Sequence, residues 1–277
     1  MKNKLSLFAV PYVGWMSIFV VAPIIIMVVY AFSTAAGDFT LENFARMGTY
    51  TAVFTRSFKL AIIATLIALL IGYPVSYMLS KEGPQVQRIA MVLIMLPMWM
   101  NFLLRTYAWM TLLENNGLIN QFLRLIGILK EGQSLEMINT QGAVVLGMVY
   151  NFLPFMVLPL YSVMAKLDNR IIEAAQDLGS NGFQVLLRVI LPLSVPGILS
   201  GITMVFVPAV STFVITKLLG GSKVLLIGDA IETMFIGQGA NYNVGAALSL
   251  VLMVLILLCM AMTSFADKDD EEGGLVL

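Results

Sequence analysis

The sequence predicts an all-α polytopic membrane protein with six transmembrane helices. Three observations carry this reading. Of its 277 residues, 59% are apolar and only 12% charged, whereas an average soluble domain is about 25% charged. Mean hydropathy is +0.91, which excludes a soluble globule of this size with so little charge to cover it. Six stretches also reach the roughly 20 apolar residues that a helix needs to cross a bilayer.

In order, the expected spans lie near 7–32, 58–79, 89–113, 142–164, 191–215 and 245–265. Lys2 and Lys4 before the first span, and Ala35-Ala36 after it, resemble a cleavable signal. Its apolar stretch of about 25 residues nevertheless exceeds a signal core of about 7–15, so it reads as a retained helix. Prolines interrupt nearly every span: Pro11, Pro23, Pro74, Pro97, Pro154, Pro159, Pro192, Pro196 and Pro208. Each removes a backbone hydrogen bond, and the freed carbonyl must be satisfied by a neighbouring helix or a water-lined cavity. A conduit of kinked helices is one reading; the general tolerance of membrane helices for proline is the other.

Net charge is zero, with 16 basic and 16 acidic residues, so no basic field attracts nucleic acid. There is no histidine and one cysteine, Cys259, which removes the commonest metal ligand and any internal disulfide. No metal site is expected. The acidic run within 266–277 lacks the glycine-centred spacing of a calcium loop and reads as a solvated tail. Six spans place both termini on one side of the membrane. The basic residues divide equally between the two faces, so orientation rests on the charges before the first span, which favour a cytoplasmic N-terminus. Between Lys217 and Asn243 lies a glycine-rich segment with apolar pieces too short to span, expected as a re-entrant or surface-lying stretch.

The loop at 165–190 is the most informative. Asn169 can cap a helix in which Glu173 and Asp177 share one face. Ile171, Ala174, Ala175 and Leu178 form the other, and Gly179 suits a left-handed stop. A second short helix, Phe183–Ile190, is expected before Pro192. Two readings follow from the residues alone: an interfacial helix lying on its own bundle, or a docking surface for another protein.

The string Glu173-Ala174-Ala175, Gly179, Val189, Leu191-Pro192 resembles the EAA loop of bacterial ABC importer permeases, EAA-x3-G-x9-I-x-LP, with valine replacing isoleucine. The likeness runs from about Tyr12 to the sixth span and is closest to PotB-type permeases of spermidine/putrescine importers. It is carried by Ile71-Gly72-Tyr73-Pro74, Leu96-Pro97-Met98-Trp99, Arg105-Thr106-Tyr107-Ala108-Trp109 and Leu153-Pro154-Phe155, and by Leu219-Gly220-Gly221-Ser222-Lys223. The resemblance implies the type I ABC importer permease fold, a bacterial inner (plasma) membrane location, and a cytoplasmic loop that docks on an ATP-binding subunit. It thereby implies that both termini are cytoplasmic.

Gly220-Gly221-Ser222-Lys223 lacks the spacing of a phosphate-binding loop. The chain is therefore expected not to be an enzyme and to bind no cofactor, ATP and Mg being used by the partner ATPase. The partners the resemblance implies are a second permease subunit (PotC-like), two copies of an ATP-binding subunit (PotA-like), an extracytoplasmic polyamine-binding protein (PotD-like), and the lipid bilayer. Glu173, Ala174, Ala175, Gly179, Leu191 and Pro192 would form the coupling loop. A polyamine is a polycation, so its path should offer carboxylates and aromatic faces; Glu114, Asp229, Glu232, Trp99, Tyr107 and Trp109 are the candidates. No Asp or Glu lies inside a span. Trp99, Tyr107 and Trp109 equally suit an interfacial belt, and Arg105 is expected to snorkel to the outer headgroups. Rival readings are an importer permease for an inorganic anion or metal complex, an intramembrane enzyme, and a stand-alone channel or secondary transporter.

Overall fold

The computed structural model describes residues 11–130, 132–237 and 239–273, with side chains described up to residue 263. Lys2 and Lys4, the start of the first expected span and the last four residues of the acidic tail lie outside the described residues. The chain is built from helices α1 (Pro11–Ala31), α2 (Thr51–Lys81), α3 (Pro84–Trp99), α4 (Phe102–Leu113), α5 (Leu118–Leu125) and α6 (Gln141–Met164). These are followed by α7 (Asn169–Asp177), α8 (Val195–Ser211), α9 (Ile227–Ile236) and α10 (Tyr242–Gly273). Among the described residues, extended pairing is limited to an isolated bridge between Ser33 and Phe39.

Among the described residues, four helices are long and apolar enough to cross a membrane, and up to six spans result if each of two bent helix pairs counts as one. The third span, expected near 89–113 with Pro97 interrupting it, is such a pair: α3 and the following helical stretch Phe102–Leu125 meet at 89°. Met100 is extended at ψ 149°, and the Asn101 side chain accepts from the backbone N–H groups of Leu103 and Leu104, at 2.8 and 3.4 Å. An asparagine cap thus starts a new helix just after Pro97. The fifth span is bent by 66° between Gly182–Leu193 and α8, at Ser194. By contrast Pro74, Pro154 and Pro159 sit inside continuous helices. The acidic stretch expected as a tail continues α10 as helix to Gly273.

Two compact units are present. One takes the chain up to Ala52 together with Ala230–Leu258. Its core joins Ala31, Ala246 and Ala247 with Met27, Phe32, Phe44 and Leu250. Carbonyls at the end of α1, which have no partner within their own helix, are met by side-chain amides. Asn43 Nδ2 donates to Ala31 and Ser33, and Asn243 Nδ2 to Tyr30 and Ser33, at 2.7–3.0 Å. No residue in the apolar window of α1 is buried within its own unit.

The other unit takes Val53–Asp229 and the chain from Cys259 onward. At its centre stands α6, with Val144, Met148, Met156, Val157 and Leu160 all at or below 1% exposure. Small residues let neighbours approach it closely. A methyl at Gly197 of α8 would lie 3.1 Å from the Pro159 carbonyl, and one at Gly72 of α2 would lie 3.0 Å from Met156 Cγ. Beside Gly72, the Ser76 hydroxyl donates to the Val157 carbonyl at 3.2 Å.

Candidate functional site

The segment between α6 and α8 forms helix, glycine turn, helix. Its cap is Asp168 rather than the expected Asn169: Asp168 Oδ1 accepts from the Arg170 N–H at 2.9 Å. The extended backbone of Asp168 suits a cap, whereas Asn169 is already helical. Glu173 and Ala174 are exposed and Ala175 half-buried on α7. At Gly179 the backbone turns left-handed, φ +85°. Its N–H donates to the Gln176 carbonyl and that of Ser180 to Ala175, at 2.8 and 3.0 Å, which satisfies the last carbonyls of α7.

The second helix, expected over Phe183–Ile190, is present and runs over Gly182–Leu193. Gly182–Val185 is opened by a capping box in which Asn181 and Gln184 exchange bonds of 2.9 Å. A π-helical turn, Leu186–Ile190, then leads into Leu191 and Pro192, both exposed. Apolar side chains stand out into open space along this segment: Leu178 at 88% exposure and Phe183 at 68%, with Ile171 and Leu187 also exposed. An amphipathic helix lying on its own bundle would bury such residues. Here they are left for another surface.

Both ends of the segment are tied to α2. Lys81 Nζ donates to Asn169 Oδ1 at 2.8 Å. Tyr73, two turns earlier, places its hydroxyl 3.0 Å from Ser194 Oγ. Sequence reasoning does not single out these two side chains as contacts, because each pairs with a residue about 90 to 120 positions away.

The six path candidates do not form one cluster. Trp99 ends α3 and is 75% exposed, while Tyr107 of α4 is 47% exposed. Trp109 sets its ring edge-on to Tyr150 of α6, with centroids 5.3 Å apart. Glu114 is exposed at the end of α4. Asp229 is 3% exposed, and its Oδ2 accepts from the Leu226 N–H at 3.0 Å, so it caps the start of α9. Glu232 lies partly buried on the same helix. Arg105 does not snorkel: it is 8% exposed, over the Phe102 ring at 6.0 Å, because it falls on the face of α4 that turns into the protein. The glycine-rich stretch after Lys217 packs inward, burying Leu219, Gly220, Val224, Leu226 and Ile227.

Apolar helices with kinked and broken spans, carrying an exposed helix–glycine–helix segment, are those of a membrane-embedded protein. The family model described as "Binding-protein-dependent transport system inner membrane component" matches residues 64–268, and the chain belongs to that family. A relative from Haemophilus influenzae, the spermidine/putrescine transport system permease protein PotB, is 40% identical over 258 residues, covering 90% of this chain and 89% of that one. The protein of the same name from Escherichia coli K12 is 37% identical over 249 residues, 87% of this chain and 90% of that one. The crystal structure of a bacterial alginate ABC transporter, in complex with alginate pentasaccharide-bound periplasmic protein, contains a chain that matches with a TM-score of 0.74 at 19% identity. That match covers 95% of this chain and 93% of the other, and it shows a shared fold.

Proposed function

We propose that the chain is the transmembrane permease subunit of an ATP-driven polyamine importer, forming half of a translocation path for spermidine and putrescine. The observation that carries the mechanism is the exposed segment Asn169–Leu193, whose apolar side chains project from a capped helix–glycine–helix frame. The names and identities of the relatives support the solute class. In this reading the segment is cytoplasmic, as are both termini, and Glu173, Ala174, Ala175, Gly179, Leu191 and Pro192 form the surface on which an ATP-binding subunit docks. Small side chains at 174 and 175 permit close approach, and Glu173 offers an exposed carboxylate to a cationic or amide partner. A second permease would complete the path, two ATPase copies would supply hydrolysis with ATP and Mg, and an extracytoplasmic binding protein would deliver solute. The chain itself performs no bond chemistry. It converts ATPase closure into a swing of the bent spans about Ser194 and Asn101.

Exposed aromatic rings at Trp99 and Tyr107 suit a polycation, with Trp109, Glu114, Asp229 and Glu232 as the further path candidates. The test is labelled spermidine uptake in cells lacking this chain, complemented by wild type or by the Glu173→Arg, Gly179→Asp double variant. Uptake restored only by wild type, with the variant present in the membrane, supports both solute and coupling segment. Restoration by the variant overturns the coupling assignment, and failure of well-expressed wild type beside its partner subunits overturns the solute.

A further inference from the structure

A groove of about 540 Å³ runs along the outside of α2 and α6, and the residues at its two ends differ in kind. Ile63, Ile67 and Ile71 of α2 face Val145, Leu146 and Val149 of α6 along its length. The isoleucines recur every fourth residue, one stripe of a helix. At the end where both helices begin, the wall is completed by Lys59 and Gln141. Lys59 is exposed. The helices run side by side there, since Gly72 of α2 meets Met156 and Val157 of α6 further along.

From Lys59 to Ile71 the groove spans about 18 Å at 1.5 Å per residue. One leaflet of a bilayer core is about 15 Å deep. An apolar channel one leaflet long, with an ammonium and an amide at one mouth, matches an acyl chain whose headgroup carries negative charge. We propose that this groove is a binding site for an anionic phospholipid. The acyl chain lies along the isoleucine stripe, and the Lys59 ammonium pairs with the phosphate while Gln141 donates to it. A hydrophobic helix from another subunit would fill the apolar length but would leave Lys59 without a countercharge.

The experiment places a photoreactive benzophenone amino acid at Leu146, inside the groove, or at Leu66, which is 57% exposed on α2 but outside the groove lining. The full chain, assembled with its importer partners, is reconstituted in vesicles of equal phosphatidylglycerol and phosphatidylcholine, irradiated, and the adducts weighed. Phosphatidylglycerol adducts should exceed phosphatidylcholine adducts at position 146 by about five-fold, the ratio set by about 1 kcal/mol for one lysine near an anionic surface. Position 66 should show no preference. Lys59→Gln should abolish the excess and Lys59→Arg should retain it. Equal adducts at 146, or an excess that survives Lys59→Gln, would mean ordinary boundary lipid and overturn the site. Crosslinks from 146 to another protein chain would make the groove a subunit interface and would equally overturn the lipid site.

Discussion

The phenol oxygen of Tyr73 on α2 lies 3.0 Å from the hydroxyl of Ser194, the residue at which the fifth span bends by 66°. Ser194 is fully buried, and its hydroxyl also donates to the Leu191 carbonyl at 2.9 Å. Since that hydroxyl proton is already committed, the phenol is the donor to Ser194. The bend is thereby pinned to a helix outside the Asn169–Leu193 segment itself. Lys81 holds the opposite end of the segment through Asn169, two turns along the same helix. Both ends of the segment are thus bonded to α2, in addition to their covalent continuity with α6 and α8.

Tyr73→Phe should cost about 1 kcal/mol, the worth of one intramolecular hydrogen bond, lowering Tm by about 2–4 °C for a chain of this size. Ser194→Ala should cost at least as much, because it strands the half-buried phenol. The two effects should not add: the double variant should fall short of their sum by about 1 kcal/mol. Thermal melts of the four proteins give the cycle, and strict additivity would mean that the hydroxyls do not interact.

At Gly179 the constraint is conformational, since a methyl group there would meet nothing within 4 Å while φ stands at +85°. Gly179→Ala should cost about 1–2 kcal/mol through the left-handed backbone alone. Asparagine tolerates that region, so Gly179→Asn should be milder than alanine, and Gly179→Val worse than either. Melting temperatures in that order would support backbone strain, whereas equal losses would point to side-chain crowding instead.

Leu178 offers a cleaner probe of docking than Gly179, because at 88% exposure it contributes little to this chain's own folding. Leu178→Asp should leave melting within about 0.5 kcal/mol of wild type. It should weaken co-purification of an ATP-binding subunit several-fold, because a carboxylate would be desolvated at an apolar contact. Unchanged recovery of that subunit would remove Leu178 from the docking surface.

Glycines elsewhere separate two opposite outcomes. A methyl at Gly228 would lie 2.5 and 2.6 Å from the backbone carbonyl oxygens of Ser211 and Thr212, which cannot swing aside. At Gly14, inside α1, it would meet nothing within 4 Å. Gly228→Ala should cost about 1–3 kcal/mol, while Gly14→Ala should be neutral or raise stability by up to about 1 kcal/mol through helix propensity. Expression and Tm of the two variants in detergent decide it.

How much of the fold and site is legible in the sequence depends on whether the signal is local. Apolar length locates the helices, and the spacing from Glu173 to Pro192 locates the exposed segment, because both are written in consecutive residues. The 89° break at Asn101 is legible in part: Pro97 marks an interruption of 89–113, but the helix cap at Asn101 shows only in the backbone. Pairings such as Tyr73 with Ser194 and Lys81 with Asn169 leave no trace in either neighbourhood. Arg105 misleads for the same reason: its charge suggests an interface, and only the packing of α4 shows that its face turns inward.

Asp229 brings the two kinds of signal into conflict, and its fate is the sharpest test of the path candidates. The carboxylate is 3% exposed and accepts from the Leu226 N–H, while the neighbouring Ile227 N–H donates to Ser57 Oγ at 2.8 Å. It thus satisfies a donor at the start of α9 that the helix cannot. Asp229→Ala should cost about 1–2 kcal/mol as a lost cap. Asp229→Asn keeps an acceptor oxygen and should recover most of that loss. If Asp229 serves chiefly as a cap, uptake by Asp229→Asn should track the amount of folded protein in the membrane. An Asp229→Asn variant that is abundant and melts like wild type, yet has a raised KM for spermidine, would show instead that the negative charge meets the solute.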